Sequence, residues 1–361
     1  MRFNTFNLFV LGGLIVIGSC KGETEEMTTI NHDETPYVMN IGDFPEPVIS
    51  SDNPLTKQGV KLGRMLFYET KLSKDGSMSC ASCHRQEHAF ADTNTLSIGV
   101  EGLLGKRQAM AVFNMAWNTN EFFWDGRAHL LRDQSILPIQ DELEMNETLE
   151  NVISKLGAEQ SYQDQFKRTF GSTEITSHKI SLALEQFMNS IVSVDSKYDQ
   201  YLRGDVTLTA SEERGRELYF AEYNEFFPST SGADCAHCHS PTNFSNNEYM
   251  NNGLDAVITD NGREKVTLSS KDKGKMKVPS LRNIELTTPY MHDGRFITLE
   301  EVVNHYNSGL ETSATLDPAL ANTMNTGLML DAQDKVDLVA FLKTLTDQTF
   351  LNNPEYSDPF L

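Results

Sequence analysis

The sequence predicts a mainly α-helical protein made of two similar halves, and three observations carry that prediction. Apolar residues recur at helical spacing, as in Ile180, Ala183, Leu184, Phe187, Met188, Ile191 and Val192. The alternation that marks strands is scarce. A set of short motifs occurs twice in the same order. Gly63-Arg64-Met65-Leu66-Phe67 and Gly215-Arg216-Glu217-Leu218-Tyr219 open the two sets. Cys80-Ala81-Ser82-Cys83-His84 and Cys235-Ala236-His237-Cys238-His239 follow. Trp124-Asp125-Gly126-Arg127 and His292-Asp293-Gly294-Arg295 close them.

Each half therefore reads as helix, C-x-x-C-H, long loop, D-G-R turn, helix. Thr209 and Glu212 form a capping box that opens a helix toward Tyr223. Thr298 and Glu301 form another. Asp331 opens a closing helix with Leu338, Phe341, Leu342 and Leu345 inward. The halves meet near residues 197–207, where Arg203-Gly204-Asp205 breaks the pattern. The chain has 361 residues, enough for two domains, expected at 46–200 and 201–361.

Residues 1–19 read as a signal peptide. Arg2 precedes an apolar run, Leu8 to Ile17, which is too short for a membrane span. The run ends Ile17-Gly18-Ser19-Cys20. Small residues before a cysteine resemble the bacterial lipobox, which implies cleavage before Cys20 and lipidation of its thiol. An ordinary signal peptide with an incidental cysteine is the alternative. Residues 20–45 are polar and aperiodic and read as a flexible tether. The expected location is the periplasmic face of a membrane, inner or outer, held by the lipid alone.

Acidic residues number 51 against 30 basic ones, a formal charge of -21. That excludes nucleic acid as a partner class and suits a small basic protein. The same charge equally serves solubility.

There are five cysteines: Cys20, Cys80, Cys83, Cys235 and Cys238. The last four fill the two C-x-x-C-H motifs, the attachment signature of c-type haem. Two thiols add to the vinyl groups, and the adjacent imidazole, His84 or His239, reaches the iron. Zinc would want four ligands in a tetrahedron, and the two cysteines and final histidine of each motif make three.

The repeat also compares the two irons. Tyr306 lies fourteen residues after His292, on a helical face with Leu299, Val302 and Val303. It is a candidate distal ligand of the second haem, or else a core tyrosine. His305 points about 100° away around the helix. In the first half the equivalent position is Pro138, which cannot bind iron. The first haem is thus expected to be open on its distal side. Cleaving O–O there needs acid–base help, and Gln134, Asp141, Glu142 and Glu144 lie nearby. Spacing does not choose among them.

These motifs resemble the bacterial di-haem cytochrome c peroxidases and their MauG-type relatives. Further likeness lies in Phe123-Trp124-Asp125-Gly126-Arg127, Glu144-Met145-Asn146 and Thr288-Pro289-Tyr290-Met291-His292-Asp293-Gly294. It spans nearly all of the chain from about Pro54 to Leu345. The resemblance implies two cytochrome c-like domains, each with one covalent haem. It implies Glu144 as acid–base, Gln134 as distal amide and Trp124 as an electron relay between haems. It also implies a calcium ion on the carbonyls of Thr287 and Pro289, with Gln108 where the family has asparagine.

Two departures matter. Many peroxidases of this family carry a blocking histidine after Ser-Ile-Gly; here Ser97-Ile98-Gly99 is followed by Val100. Those peroxidases also use methionine on the electron-transfer haem, where this chain has Tyr306. MauG-type enzymes have tyrosine there, and both departures point to the MauG side. The tryptophan that a MauG-type enzyme uses for a protein substrate, two residues before the second haem motif, is Ala233 here. The expected function is therefore reduction of hydrogen peroxide with electrons from a small cytochrome c or cupredoxin. A MauG-type oxidase acting on a protein or small molecule is the first alternative. A pure electron-transfer cytochrome is the second. A homodimer is left open.

Overall fold

In chain order the longer helices are α1 (Lys57–Tyr68), α2 (Leu149–Gly157), α3 (Gln160–Phe170), α4 (Ser177–Ser190), α5 (Lys197–Arg203), α6 (Ala210–Phe220), α7 (Leu299–Ser308) and α8 (Ala332–Lys343). This computed structural model describes residues 1–5 and 30–361, and residues 31–361 form one compact unit. The apolar run Leu8 to Ile17, Cys20 and the start of the tether lie outside the described residues. The expected capping boxes open α6, α7 and α8, with Thr209, Thr298 and Asp331 as N-caps. Each satisfies backbone N–H groups that the first helical turn leaves unpaired.

Two helix crossings frame the molecule. α1 packs on α4, and α6 packs on α8. Around the first, Leu62, Leu66, Phe67, Ala183 and Phe187 are buried. Around the second, Leu218, Tyr219, Leu338 and Phe341 are buried. The first core also receives Phe350 and Tyr356 from the C-terminal end, so the chain closes back on its beginning.

The repeated glycines sit where these helices cross. A Cβ on Gly63 would collide with the Ala183 carbonyl, and one on Gly215 with the Asp337 carbonyl. Glycine permits the close approach because it has no side chain. The two D-G-R turns are alike as well. Each is closed by an antiparallel bridge, Phe122 with Ala128 and Tyr290 with Phe296.

Three details differ from the sequence reading. Residues 31–45 are not free tether. Tyr37 N–H donates to the Leu55 carbonyl (3.0 Å), and Phe44 packs edge-on to Trp117 at 5.2 Å. Tyr37, Met39, Ile41 and Phe44 supply the apolar anchors in an otherwise polar stretch. The helix expected through Val192 ends at Ser190. Beyond it the Ile191 carbonyl accepts from Asn114 N–H (2.9 Å), and Val192 N–H donates to the Tyr356 hydroxyl (3.2 Å). The junction near residues 197–207 is itself helical, as α5, and Gly204 ends it in the left-handed region. Among the described residues the only paired strands are β1 (Tyr249–Met250) and β2 (Met276–Lys277), antiparallel, with Tyr249 opposite Lys277.

Replacing Gly63 or Gly215 with alanine should cost about 1–3 kcal/mol of stability, the usual penalty for overpacking. Gly157 has open space around its Cβ position, so Gly157→Ala is the control. Thermal denaturation compares them, and the crossing argument expects a lower midpoint for the first two only.

Candidate active site

Both C-x-x-C-H motifs open onto one cavity of about 690 Å³, within the size range (roughly 300–1,000 Å³) of pockets that hold small molecules and cofactors. Its wall includes Cys80, Cys83 and His84 on one side and Cys235, Cys238 and His239 on the other. Short helical turns carry the motifs, Cys80–Cys83 and Cys235–His237. In each, the histidine N–H donates back to the carbonyl of the first cysteine at 2.9 Å. All four cysteines are free thiols, and burial pushes Cys80 and Cys235 up to about 12.

The two imidazoles are held alike. His84 Nδ1 lies 3.0 Å from the Phe90 carbonyl. His239 Nδ1 lies 3.2 Å from the Phe244 carbonyl and 3.1 Å from that of Pro279. A carbonyl can only accept, so the ring proton belongs on Nδ1. Nε2 keeps its lone pair, the form that binds a metal. Burial lowers both imidazoles, His239 to about 4, which keeps them neutral. Paired thiols, a neutral imidazole and an apolar cavity fit c-type haem on each motif.

The remaining sequence candidates converge on this cavity. Gln134, Pro138 and Glu144 line it, as do Trp124, Gln108, Thr287, Pro289 and Tyr306. Glu144 is set by a backbone clasp: Val100 N–H donates to its carbonyl at 2.8 Å. Gly99 beside it packs so closely on Leu143 that a Cβ would strike that carbonyl. Within the acidic run Asp141 also reaches the wall, whereas Glu142 is exposed and does not. Burial raises the Glu144 carboxyl to about 7; Asp141 adds to the rise, and Arg127 opposes it. Arg127 stacks its guanidinium 3.5 Å over the Phe123 ring and also lines the cavity. Sequence reading passed over it as part of the D-G-R turn.

Trp124 is stitched to both halves. Its Nε1–H donates to the Gln108 carbonyl at 2.8 Å, and its own carbonyl accepts from Lys277 N–H at 2.7 Å. Gln108 spends Nε2 on the Asp92 carbonyl (3.2 Å) and its backbone N–H on that of His292 (2.8 Å). Its side-chain oxygen remains an acceptor.

On α7 the expected face forms: Leu299, Val302, Val303 and Tyr306 all line the cavity. His305 turns the other way, with Nε2 3.0 Å from the Asn252 carbonyl. The Tyr306 phenol is pushed up to about 12 by burial, and Asn252 Nδ2 stands 3.5 Å from it. Ala233, the position of the family's partner-facing tryptophan, is buried.

Comparison with known proteins gives the family. The family profile "Di-haem cytochrome c peroxidase" matches residues 57–207. The methylamine utilization protein MauG of Methylorubrum extorquens is 34% identical, across 94% of this chain and 92% of that protein. The cytochrome c551 peroxidase of Nitrosomonas europaea is 35% identical, across 88% of this chain and 87% of that one. A crystal structure of a MauG-like protein associated with microbial copper homeostasis superposes with a TM-score of 0.79 at 33% identity, covering 90% and 100% of the two chains. Two haem-attachment motifs on one cavity and near full-length likeness to both kinds of relative lead to one conclusion: the chain belongs to the di-haem cytochrome c peroxidase and MauG family.

Proposed function

We propose that this protein reduces hydrogen peroxide to water, drawing two electrons, one at a time, from a small donor protein such as a cytochrome c or cupredoxin. The observation that carries the reading is Glu144, a cavity-lining carboxyl with a raised pKa, in the same wall as Gln134 and Pro138. When bound, the haem on Cys80, Cys83 and His84 supplies the iron at which O–O is broken, and that on Cys235, Cys238 and His239 passes electrons inward.

The chain's own groups do the rest. Pro138 offers no ligand atom, which keeps room for peroxide. Gln134 can hold peroxide by its amide. The Glu144 carboxylate takes a proton from the nearer peroxide oxygen and returns it to the departing one, so that the second oxygen leaves as water. A carboxyl titrating near neutrality suits both halves of that transfer. Trp124, bonded to each half of the molecule, relays the electrons. Tyr306 offers a phenolic oxygen to the second iron. Domains of 46–200 and 201–361, each with one haem, go with this division of labour. A calcium ion would sit on the Thr287 and Pro289 carbonyls with Gln108 Oε1, and a lipid on Cys20 would hold the protein at the periplasmic face of a membrane.

A MauG-type oxidase is the second reading, favoured by Tyr306 on the cavity wall and by Val100 in place of a blocking histidine. The buried Ala233 weighs against the known tryptophan route to a protein substrate. Steady turnover of peroxide with a reduced cytochrome supports the peroxidase. Oxidation of a partner protein without such turnover supports the oxidase.

Glu144→Gln should keep both haems yet slow peroxide cleavage about 10²–10⁴-fold, as measured by stopped-flow mixing. Wild-type cleavage should fall as pH drops through about 7, where Glu144 protonates and ceases to be a base. The raised pKa also means that ionising Glu144 lowers stability as pH rises toward 7. The glutamine variant should thus be no less stable at neutral pH, which separates chemistry from folding. Glu142→Gln should be nearly silent; equal losses in both variants would refute the assignment.

An anionic oxygen ligand favours ferric iron. The wild-type ferric spectrum should therefore lack the near-infrared band of methionine ligation. Tyr306→Met should create that band and raise the potential of the second haem. An unchanged spectrum in Tyr306→Phe together with a changed one in His305→Ala would assign the ligand to His305.

A further inference from the structure

Among the described residues the buried cations are paired with carboxylates, with one exception. Among the described residues three lysine or arginine side chains are under a tenth exposed: Arg282 at 1%, Arg132 at 6% and Lys277 at 7%. Arg282 pairs with Asp199 at 2.8 Å. Arg132 pairs with Asp52 at 2.8 Å and Glu185 at 3.1 Å. Lys277 has no carboxylate partner among the described residues. Its ammonium makes one hydrogen bond, to the Asn247 carbonyl at 3.3 Å, and lies 5.3 Å from the centre of the Tyr249 ring. The carboxylates facing this corner are Glu121 and Glu248. Glu121 is committed to Arg263 Nη2 at 3.1 Å and to the Tyr249 hydroxyl at 3.3 Å, and Glu248 is exposed.

A buried charge without a counter-ion costs several kcal/mol, so such a group is expected to have a partner. Lys277 lines the cavity between the two C-x-x-C-H motifs. Its backbone N–H is the one that holds the Trp124 carbonyl. It stands two residues before Pro279, whose carbonyl faces the His239 ring. Lys277, whose ammonium has two spare N–H donors, thus stands in the wall of the space assigned to the cofactors. Each haem carries two carboxylates on its rim, and among the described residues no carboxylate is paired with this ammonium.

We propose that Lys277 is the buried counter-ion of a haem carboxylate in the space between the two haems. The fixed positive charge favours the ferrous state of that haem and so adjusts the step through which electrons pass Trp124. Burial lowers the ammonium to about 8 when it stands alone; a paired carboxylate would raise it again, so it is charged at neutral pH.

The proposal rests on both haems being present, and the test separates the two. Pyridine haemochrome spectra count the haems; fewer than two per chain in the wild type would overturn the di-haem reading itself. Redox titration of the purified holoprotein then compares wild type, Lys277→Gln and Lys277→Arg. The charge-removing variant should lower the potential of one haem, shifting its ferric-to-ferrous ratio at fixed potential about tenfold, or about 59 mV for one electron. Lys277→Arg, which keeps the charge, should stay near wild type. Unchanged potentials in both variants, with only a lower melting temperature, would overturn the proposal and leave a structural lysine. Should Lys277→Gln fail to assemble, resonance Raman spectra of the wild type decide. A propionate-bending band that shifts on H₂O/D₂O exchange supports a carboxylate bonded to an N–H donor. Bands insensitive to exchange for both haems overturn it.

Discussion

Two half-buried imidazoles, each giving its Nδ1 proton to a backbone carbonyl, are the constraint on which the rest depends. The hydrogen bonds fix the tautomer, leave Nε2 free and fix the ring plane. Everything else in each half serves that placement. The C-x-x-C turn sets the histidine in sequence. The helix crossings at Gly63 and Gly215 bring the scaffold close. The loops ending at Phe90, Phe244 and Pro279 supply the carbonyls. Desolvation lowers the imidazoles, so the same burial that builds the core keeps the ligands neutral.

The two halves share the motif but not the surroundings. On the first side the wall carries Pro138, Gln134 and the Glu144 carboxyl, raised to about 7. On the second, Tyr306 stands on the inward face of α7. Between them Trp124 is clasped by Gln108 on one flank and Lys277 on the other. In the proposed reading one scaffold used twice gives a site for chemistry and a site for electrons, and the difference lies in a few side chains.

The parts that were readable in the sequence share one property: they are written locally. C-x-x-C-H is contiguous, capping boxes span three residues, and the face of α7 is a matter of spacing. Tyr306 over His305 followed from helical geometry, and the structure places the former in the cavity and the latter away from it. That Glu144 lies in the cavity wall while Glu142 does not could not be read from spacing. It depends on the Val100 N–H and the Gly99 packing, contacts made across more than forty residues. Lys277 carried no signal at all, because its distinction is the lack of a partner, and partners are a property of the fold. The anchoring of residues 31–45 was hidden for a similar reason: four apolar side chains in a polar stretch find their sockets only in three dimensions.

The central claim is that one cavity holds two haems with unlike distal sides, one open and one ligated. Low-temperature electron paramagnetic resonance of the as-purified diferric protein tests it most directly, paired with stopped-flow addition of peroxide to the same sample. The account predicts one high-spin and one low-spin ferric signal of equal amount, and reaction with peroxide without prior reduction. Two low-spin signals, or a lag removed only by first reducing the protein, would contradict it.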